Sequence, residues 1–540
     1  MEQFEYAVVI KNAEDFDDIH EKITTEYGDD SIPSRPIEIA NYRPGSERIT
    51  HYYLTDEEAD KLRTDPRIQS VERPPHLDPR KGLDHASTQP ATFSKIFITT
   101  SSDVNWGLMR SIRRSDPWTE GGNQVNFTGS FNYTLTGRGV DVVIQDGGIT
   151  PNHPEWTDDR GVTRLQQIDW YAASGLSGTQ SANHYLDYDG HGSHVASIAA
   201  GRTQGWARNA RIYAVKVAGL AGGEGGGISG NDIFDVIRLW HINKPIDPVT
   251  GYKRPTVVNM SWGTFATEGS NNIPASIQWR GGNYTRGVHY NTLDDMKNNY
   301  GWMGYIRNGF YYHSYFTSTY EAEVQDMVNA GIHVVVAGGN NNCKIDIFGG
   351  SDYDNRWGGY ADSWYHRGGC PGARYAIVVG NLSTAYESGI ERRNSSSEQG
   401  PGVHIFAAGT DIMGVSSKDN NNGSNNIVDN YGYVPVTHPL NSNFNLMKIS
   451  GTSMAAPQVT GLLACLLEAY PNMTPAQAKQ WLINNSTKNL IYDTGGATSY
   501  NTAYSLVGGN NRLMFTPFSN ANEETIKNGL VLTNGAVTIK

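Results

Sequence analysis

Gly451-Thr452-Ser453-Met454-Ala455-Ala456-Pro457 leads straight into Val459, Leu462, Leu463, Leu466 and Leu467. Apolar residues three and four apart mark the buried face of a helix. The spacing therefore predicts a helix with Ser453 near its N-terminus. Free backbone N–H groups and the helix dipole favour developing negative charge there. Gly451 permits a tight turn and the close approach of a ligand. Pro457 falls early in the helix, where a missing N–H is easily tolerated. Taken alone, the spacing favours reading Ser453 as an ordinary serine N-cap.

The chain before this helix alternates in kind. Short apolar runs recur at 140–144, 212–217, 256–260, 333–337, 375–379 and 404–407. Helical patterns follow several of them, near 194–200, 228–240, 321–330 and 456–470. Continuous apolar strands separated by helices predict an α/β fold, a three-layer parallel sheet covered on both faces. In such folds the site lies at the carboxyl ends of the strands. Two polar inserts interrupt the plan. One, near 264–320, is rich in Tyr, Asn and Gly; the other, near 410–447, carries Asn420-Asn421-Asn422 and Asn425-Asn426. Loops of that length are expected to be functional or mobile.

Residues 1–75 read as a separate small α/β unit. Runs 4–10, 48–53 and 68–72 are strand-like, and Phe16, Ile19 and Ile23 share one helical face. Thr55 with Glu58 makes a capping box that opens a second helix through Leu62. Residues 76–103, with Pro79 and Pro90 and little periodicity, read as a linker. Residues 104–517 then form the main domain, and 518–540 a short β tail.

Composition limits the function classes. Of 540 residues, 38% are hydrophobic and 18% charged, which suits a folded rather than a disordered chain. With 43 Lys+Arg against 55 Asp+Glu, the net charge of −12 argues against a general nucleic-acid binder. Three cysteines make no disulfide framework. Cys465 reads as core, and a bond between Cys343 and Cys370 is left open. No apolar run is long enough to span a membrane. The first residues, Met1-Glu2-Gln3-Phe4, show no signal-peptide pattern. The expectation is a product cytosolic at synthesis, or exported by a route the sequence does not show.

A nucleophilic serine needs a base, an orienting acid and donors for an oxyanion. Asp146 ends the run Asp141-Val142-Val143-Ile144-Gln145-Asp146-Gly147-Gly148; alone it reads as a turn aspartate. His191 lies in Asp189-Gly190-His191-Gly192-Ser193-His194-Val195-Ala196. Two histidines three apart also suit half of a metal site, yet no second ligand cluster matches them. Asn340 follows Val334-Val335-Val336-Ala337-Gly338-Gly339; alone it is one of three loop asparagines.

Together these four strings resemble the motifs of the subtilisin-like serine proteases (subtilases), in that family's Asp–His–Ser order. The resemblance covers most of 104 to about 515. It implies a serine endopeptidase acting through an acyl-enzyme. Ser453 is the nucleophile, His191 the base and then the acid, Asp146 the orienting carboxylate, and Asn340 the oxyanion donor; His194 is left structural. Two departures stand out. Gly147 replaces the usual hydroxyl residue after the aspartate, and Ser193 replaces a threonine. The family's two peptide-binding edge segments match Leu220-Ala221-Gly222-Gly223 and Ser261-Trp262-Gly263. This makes Leu220, Gly222, Gly223, Ser261, Trp262 and Gly263 the candidate substrate-binding residues, with Trp262 expected to narrow a pocket. Asn105-Trp106-Gly107-Leu108 resembles the start of mature subtilases.

Residues 1–75 resemble the ferredoxin-like prodomain that precedes many subtilases. That implies a folding aid and intramolecular inhibitor, removed by self-processing. Partners are then protein or peptide substrates and the chain's own prodomain. No cofactor is required. Calcium is common in the family, but Glu155, Asp158 and Asp159 form no recognisable calcium loop. Two alternatives stay open: a subtilase-shaped structural or peptide-binding protein with little or no proteolysis, and a metallohydrolase centred on His191 and His194.

Overall fold

Val142, Val143, Ile144, Val257, Val258 and the run Val334–Val336 are all buried, on both faces of their strands. Such strands can only be central ones in a sheet covered twice. In the computed structural model they lie in a nine-stranded sheet. Its order is Leu165–Gln166, Arg211–Lys216, Asp141–Asp146, Thr256–Met260, His333–Ala337, Ile377–Leu382, Ile405–Ala408, Arg512–Leu513 and Thr487–Lys488. Every pairing is parallel except the last, between 487–488 and 512–513. All residues are described except 1, 26–28, 75–80, 86–104, 113, 115–134, 159, 189, 218–229, 269–272, 359–362, 384–390, 417–435, 496–499, 503, 519–529, 534–535 and 540.

The strand Thr256–Met260 shows how the layers are stacked. The Asn259 side chain meets Thr460 of the helix Thr452–Ala469 on one face, at 2.9 Å. Thr256 meets His241 of the helix Asp232–Asn243 at 2.9 Å. Residues an odd number apart in a strand point to opposite faces, so the two helices sandwich the sheet. The three-layer α/β expectation is met.

Residues 4–72 build a second, antiparallel sheet in the order Ile39–Asn41, Ile49–Leu54, Phe4–Ile10, Ile68–Glu72. The helices Phe16–Thr24 and Asp56–Leu62 accompany it, the latter opened by the Thr55/Glu58 capping box. Its own core includes Val8, Ile19, Ile23, Leu54 and Leu62. Short strand 39–41 has no apolar alternation and escaped the sequence reading.

Three expectations need correction. Within the supposed linker, Lys81–His85 is a strand. It pairs antiparallel with Trp262–Glu268, with His85 opposite Trp262 and Lys81 opposite Ala266. Backbone pairing to a distant partner creates this strand, so local periodicity could not reveal it. The insert near 264–320 is not a polar loop. It holds the strands Ser276–Trp279, Gly282–Thr285, Tyr305–Arg307 and Phe310–Ser314 and the helix Leu293–Tyr300, packed around Trp302, Tyr311, Trp357 and Tyr365. Aromatic rings supply much of that core, and the tyrosine tips find partners there: the Tyr311 hydroxyl donates to the Trp302 carbonyl at 2.9 Å and the Tyr365 hydroxyl to the Tyr300 carbonyl at 3.0 Å. Cys343, Cys370 and Cys465 are all free, buried thiols, so 343 and 370 are not bridged.

Candidate active site

Asp146 is the last residue of its strand, and His191 is the first residue of the helix His191–Ala200. The His191 Nδ1–H donates to Asp146 Oδ1 at 2.8 Å, with both side chains buried. Two glycines make this approach possible. A β-carbon on Gly192 would lie 2.1 Å from the Gly148 carbonyl oxygen, and Gly148 itself holds φ +119°. Gly147 lacks a hydroxyl, but its backbone N–H donates to Asp146 Oδ1 at 2.7 Å. The main chain thus supplies an orienting bond without the missing side chain.

Asp187 was not singled out from sequence, though it lies four residues before His191. Its carboxylate accepts from the N–H of Gly190 (2.9 Å), the N–H of Ser193 (2.7 Å) and the Ser193 hydroxyl (2.6 Å). This caps the orphan donors that open the histidine helix and fixes its first turn. His194 is buried with Nε2 3.0 Å from the Met447 carbonyl, and burial pushes its pKa down to about 3. It is a neutral packing residue, as read.

Ser453 is the second residue of the helix Thr452–Ala469, whose cap position is Gly451. The N-cap reading of Ser453 therefore fails. Pro457 is not at a tolerated end position either, since it lies inside the helix. Its missing N–H leaves the Ser453 carbonyl without the usual helical donor. Ser261 Oγ donates to that carbonyl at 3.0 Å, and the Ser453 hydroxyl donates back to the Ser261 carbonyl at 3.1 Å. Asn259 Nδ2 in turn holds Ser261 Oγ at 2.8 Å. Ser261, read as part of a peptide-binding edge, thus also anchors the first turn of the helix that carries Ser453.

The histidine and serine helices run side by side. A β-carbon on Gly461 would lie 2.4 Å from the Ala199 carbonyl oxygen. Gly461 and Ala199 each stand eight residues beyond Ser453 and His191. His194 faces Met447, just before the serine helix, so both helices start at the same end.

Asn340 follows the strand His333–Ala337 and faces the serine helix. Its Oδ1 accepts from the Thr452 N–H (3.0 Å) and the Thr452 hydroxyl (3.1 Å). With the oxygen committed to Thr452, the amide nitrogen is turned the other way as a donor. Thr452 Oγ1 also accepts from the Gly339 N–H at 3.1 Å.

Of the substrate-binding candidates, Leu220, Gly222 and Gly223 lie outside the described residues. Gly263 pairs opposite Asp84. The Trp262 ring is fully buried, with centroids 6.2 Å from Phe234 and 5.4 Å from Tyr320. It fills the core beneath its strand and does not narrow an open pocket.

The calcium question has a structural answer at Glu155. Its buried carboxylate accepts from the Thr203 N–H (3.0 Å), the Thr203 hydroxyl, the Gln204 N–H (3.3 Å) and His438 Nε2 (2.8 Å). Burial would raise its pKa, but His438 and Thr203 outweigh that and hold it low. Asp158 binds Arg160 and the Val162 N–H. Glu155 and Asp158 do not fit calcium, because their lone pairs already have donors; Asp159 lies outside the described residues. Among the described residues, no group of three His, Cys, Asp or Glu could hold a metal ion, and no helix is long and apolar enough to cross a membrane.

The chain is similar to known proteins. The model of the subtilase family matches residues 137–504. An extracellular serine proteinase of Thermus sp. is 26% identical over 466 residues, 86% of this chain and 74% of that protein. Cerevisin of Saccharomyces cerevisiae is 24% identical over 457 residues, 82% of this chain and 50% of the relative. The crystal structure of fervidolysin from Fervidobacterium pennivorans, a keratinolytic enzyme related to subtilisin, aligns with 98% of this chain and 62% of its own. The TM-score is 0.50 at 19% identity, a likeness of fold.

Proposed function

Because the chain belongs to the subtilase family of serine endopeptidases, we propose that it cleaves peptide bonds through an acyl-enzyme on Ser453 and that its N-terminal unit is its own inhibitor. The observation that carries the first half is the Asp146–His191 bond at the head of a helix running beside that of Ser453. For attack, the Ser453 hydroxyl leaves the Ser261 carbonyl and gives its proton to His191. Asp146 holds the imidazole in its tautomer and stabilises the cation that forms. The oxyanion accepts from the Ser453 N–H at the helix N-terminus and from the Asn340 amide. His191 then protonates the leaving amine, and a water activated by the same histidine releases the acyl group.

The second half rests on the strand Lys81–His85. It lies along Trp262–Ala266, where an extended substrate would add by backbone pairing. The chain carrying it is held to the main domain at several buried points, Glu72, Arg43 and Arg48 among them. Glu72 accepts from the N–H groups of Ser318 (3.2 Å) and Thr319 (2.6 Å), capping the helix Ser318–Asn329. Arg43 lies between Asp232 (3.0 Å), Asp235 (2.9 Å) and Glu323 (2.5 Å). Self-cleavage beyond residue 85 then frees the groove once this unit departs.

A fluorophosphonate reagent with intact-mass analysis tests both halves. Wild type is expected to shorten from its N-terminal side and to take the label; Ser453→Ala is expected to do neither. A wild type that stays full length and unlabelled would favour a binding protein instead.

A further inference from the structure

We propose that Glu398 is a positioning residue for the oxyanion hole, acting from beneath through the loop that carries Asn340. The inference rests on the proposed role of Asn340. Glu398 is fully buried and is in none of the recognised motifs. Its carboxylate gathers the loop beyond Asn340. Oε1 accepts from Ser314 Oγ at 2.8 Å, Oε2 accepts from the Cys343 N–H, and the Asn341 N–H is a further donor. Ser314 Oγ in turn accepts from Asn341 Nδ2 at 3.1 Å. On the near side of Asn340, the Glu398 backbone N–H donates to the Gly339 carbonyl at 3.0 Å. A β-carbon on Gly339 would lie 2.7 Å from Glu398 Oε1, and Gly339 holds φ +120°.

The residues on both sides of Asn340 are therefore pinned to one residue, Gly339 to the Glu398 main chain and Asn341 and Cys343 to its carboxylate. Thr452 holds the amide oxygen from the front, and Glu398 holds the main chain from behind. Two fixed points leave the amide little freedom to follow a ground-state carbonyl. That is the preorganisation an oxyanion donor needs. Burial pushes the Glu398 carboxyl up to about 8, against the donors from Ser314, Cys343 and Asn341, which favour the accepting carboxylate.

The test is a double-mutant cycle on the self-processed enzyme, with a short peptide substrate and active-site titration. Glu398→Gln keeps the size but sets an amide nitrogen against a cluster of donors. It is expected to lower kcat about 10- to 100-fold with KM nearly unchanged, below the 100- to 1,000-fold loss for removing an oxyanion donor outright. In an Asn340→Ala background the same change is expected to cost less than about 2-fold, because the donor it positions is gone. Ser314→Ala, a milder cut at the same carboxylate, should show the same non-additivity and serves if Glu398→Gln does not fold. Equal losses in both backgrounds would mean a purely structural role and overturn the proposal, as would a wild-type kcat in both variants. If wild type shows no turnover that depends on Ser453, the functional reading falls, and this inference with it.

Discussion

Gly192→Ala perturbs the Asp146–His191 pair without touching any of its polar atoms. The added methyl would sit 2.1 Å from the Gly148 carbonyl oxygen, whereas real β-carbons essentially never come closer than 3.0 Å. Both partners are backbone, so no side chain can swing aside. The helix head and the aspartate loop must part by about 0.9 Å. Taken up along the pair, this stretches the 2.8 Å bond to about 3.7 Å, beyond hydrogen-bond range. A misplacement near 1 Å costs on the order of 100-fold in rate, and losing the acid's orienting role costs about 10,000-fold in the chymotrypsin class. The expected fall in kcat therefore lies between those limits, with about 1–3 kcal/mol of overpacking cost to stability. KM should hold, because the edge strand Trp262–Glu268 is untouched. The assay is steady-state cleavage of a short chromogenic peptide, read beside the melting temperature. A folded Gly192→Ala enzyme with kcat within about 3-fold of wild type would refute the claim that these glycines set the catalytic distance.

Other consequences can be checked separately. Arg43→Met in the uncleaved Ser453→Ala chain strands the carboxylates of Asp232, Asp235 and Glu323 in the interior. Breaking such a cluster costs about 3–5 kcal/mol, visible as an earlier denaturant midpoint; a shift under about 0.5 kcal/mol would remove this contact as a docking point. His153, His194, His241 and His313 are pushed by burial down to about 3, and His333 and His366 to about 4. Unfolded, each titrates near 6.5. Below that pH the unfolded chain takes up protons the folded chain refuses. Their stabilising contribution is thus full above about 6.5 and fades as pH falls, by up to about 1.4 kcal/mol per pH unit for each. Glu323 and Glu398, raised by burial to about 8, oppose this, as do Glu321, Asp326 and Glu468, also raised by burial; with His20, His184 and His404 lowered as well, nine imidazoles stand against five carboxyls. The melting temperature should drop steeply from pH 6.5 to 4.5, and a flat profile would contradict the burial of these rings. A chelator should leave the melting temperature unchanged, since His438 and Thr203 already saturate Glu155; a fall of several degrees would reveal a cation elsewhere.

What the sequence by itself determined is local. Valine and isoleucine runs predict central strands, three-and-four spacing predicts the serine helix, and Thr55 with Glu58 predicts a cap; each signal lies within about one turn or strand of its residue. Asp146, His191, Asn340 and Ser453 could be singled out as candidates for the same reason, because each stands in a short string with glycines and small residues around it. What only the tertiary structure decided involves partners far apart in the chain. Lys81–His85 is a strand only because Trp262–Ala266 offers an edge. Pro457 reads as a tolerated helix residue until Ser261 is seen on the carbonyl it leaves open. Glu155 could pass for a metal ligand until His438, 283 residues away, is found on it. Arg43, Asp187 and Glu398 carry no mark in sequence, since a buried charge is defined by what surrounds it. The free energy of such a group depends on desolvation and on the donors folded against it, and neither can be read from its neighbours along the chain.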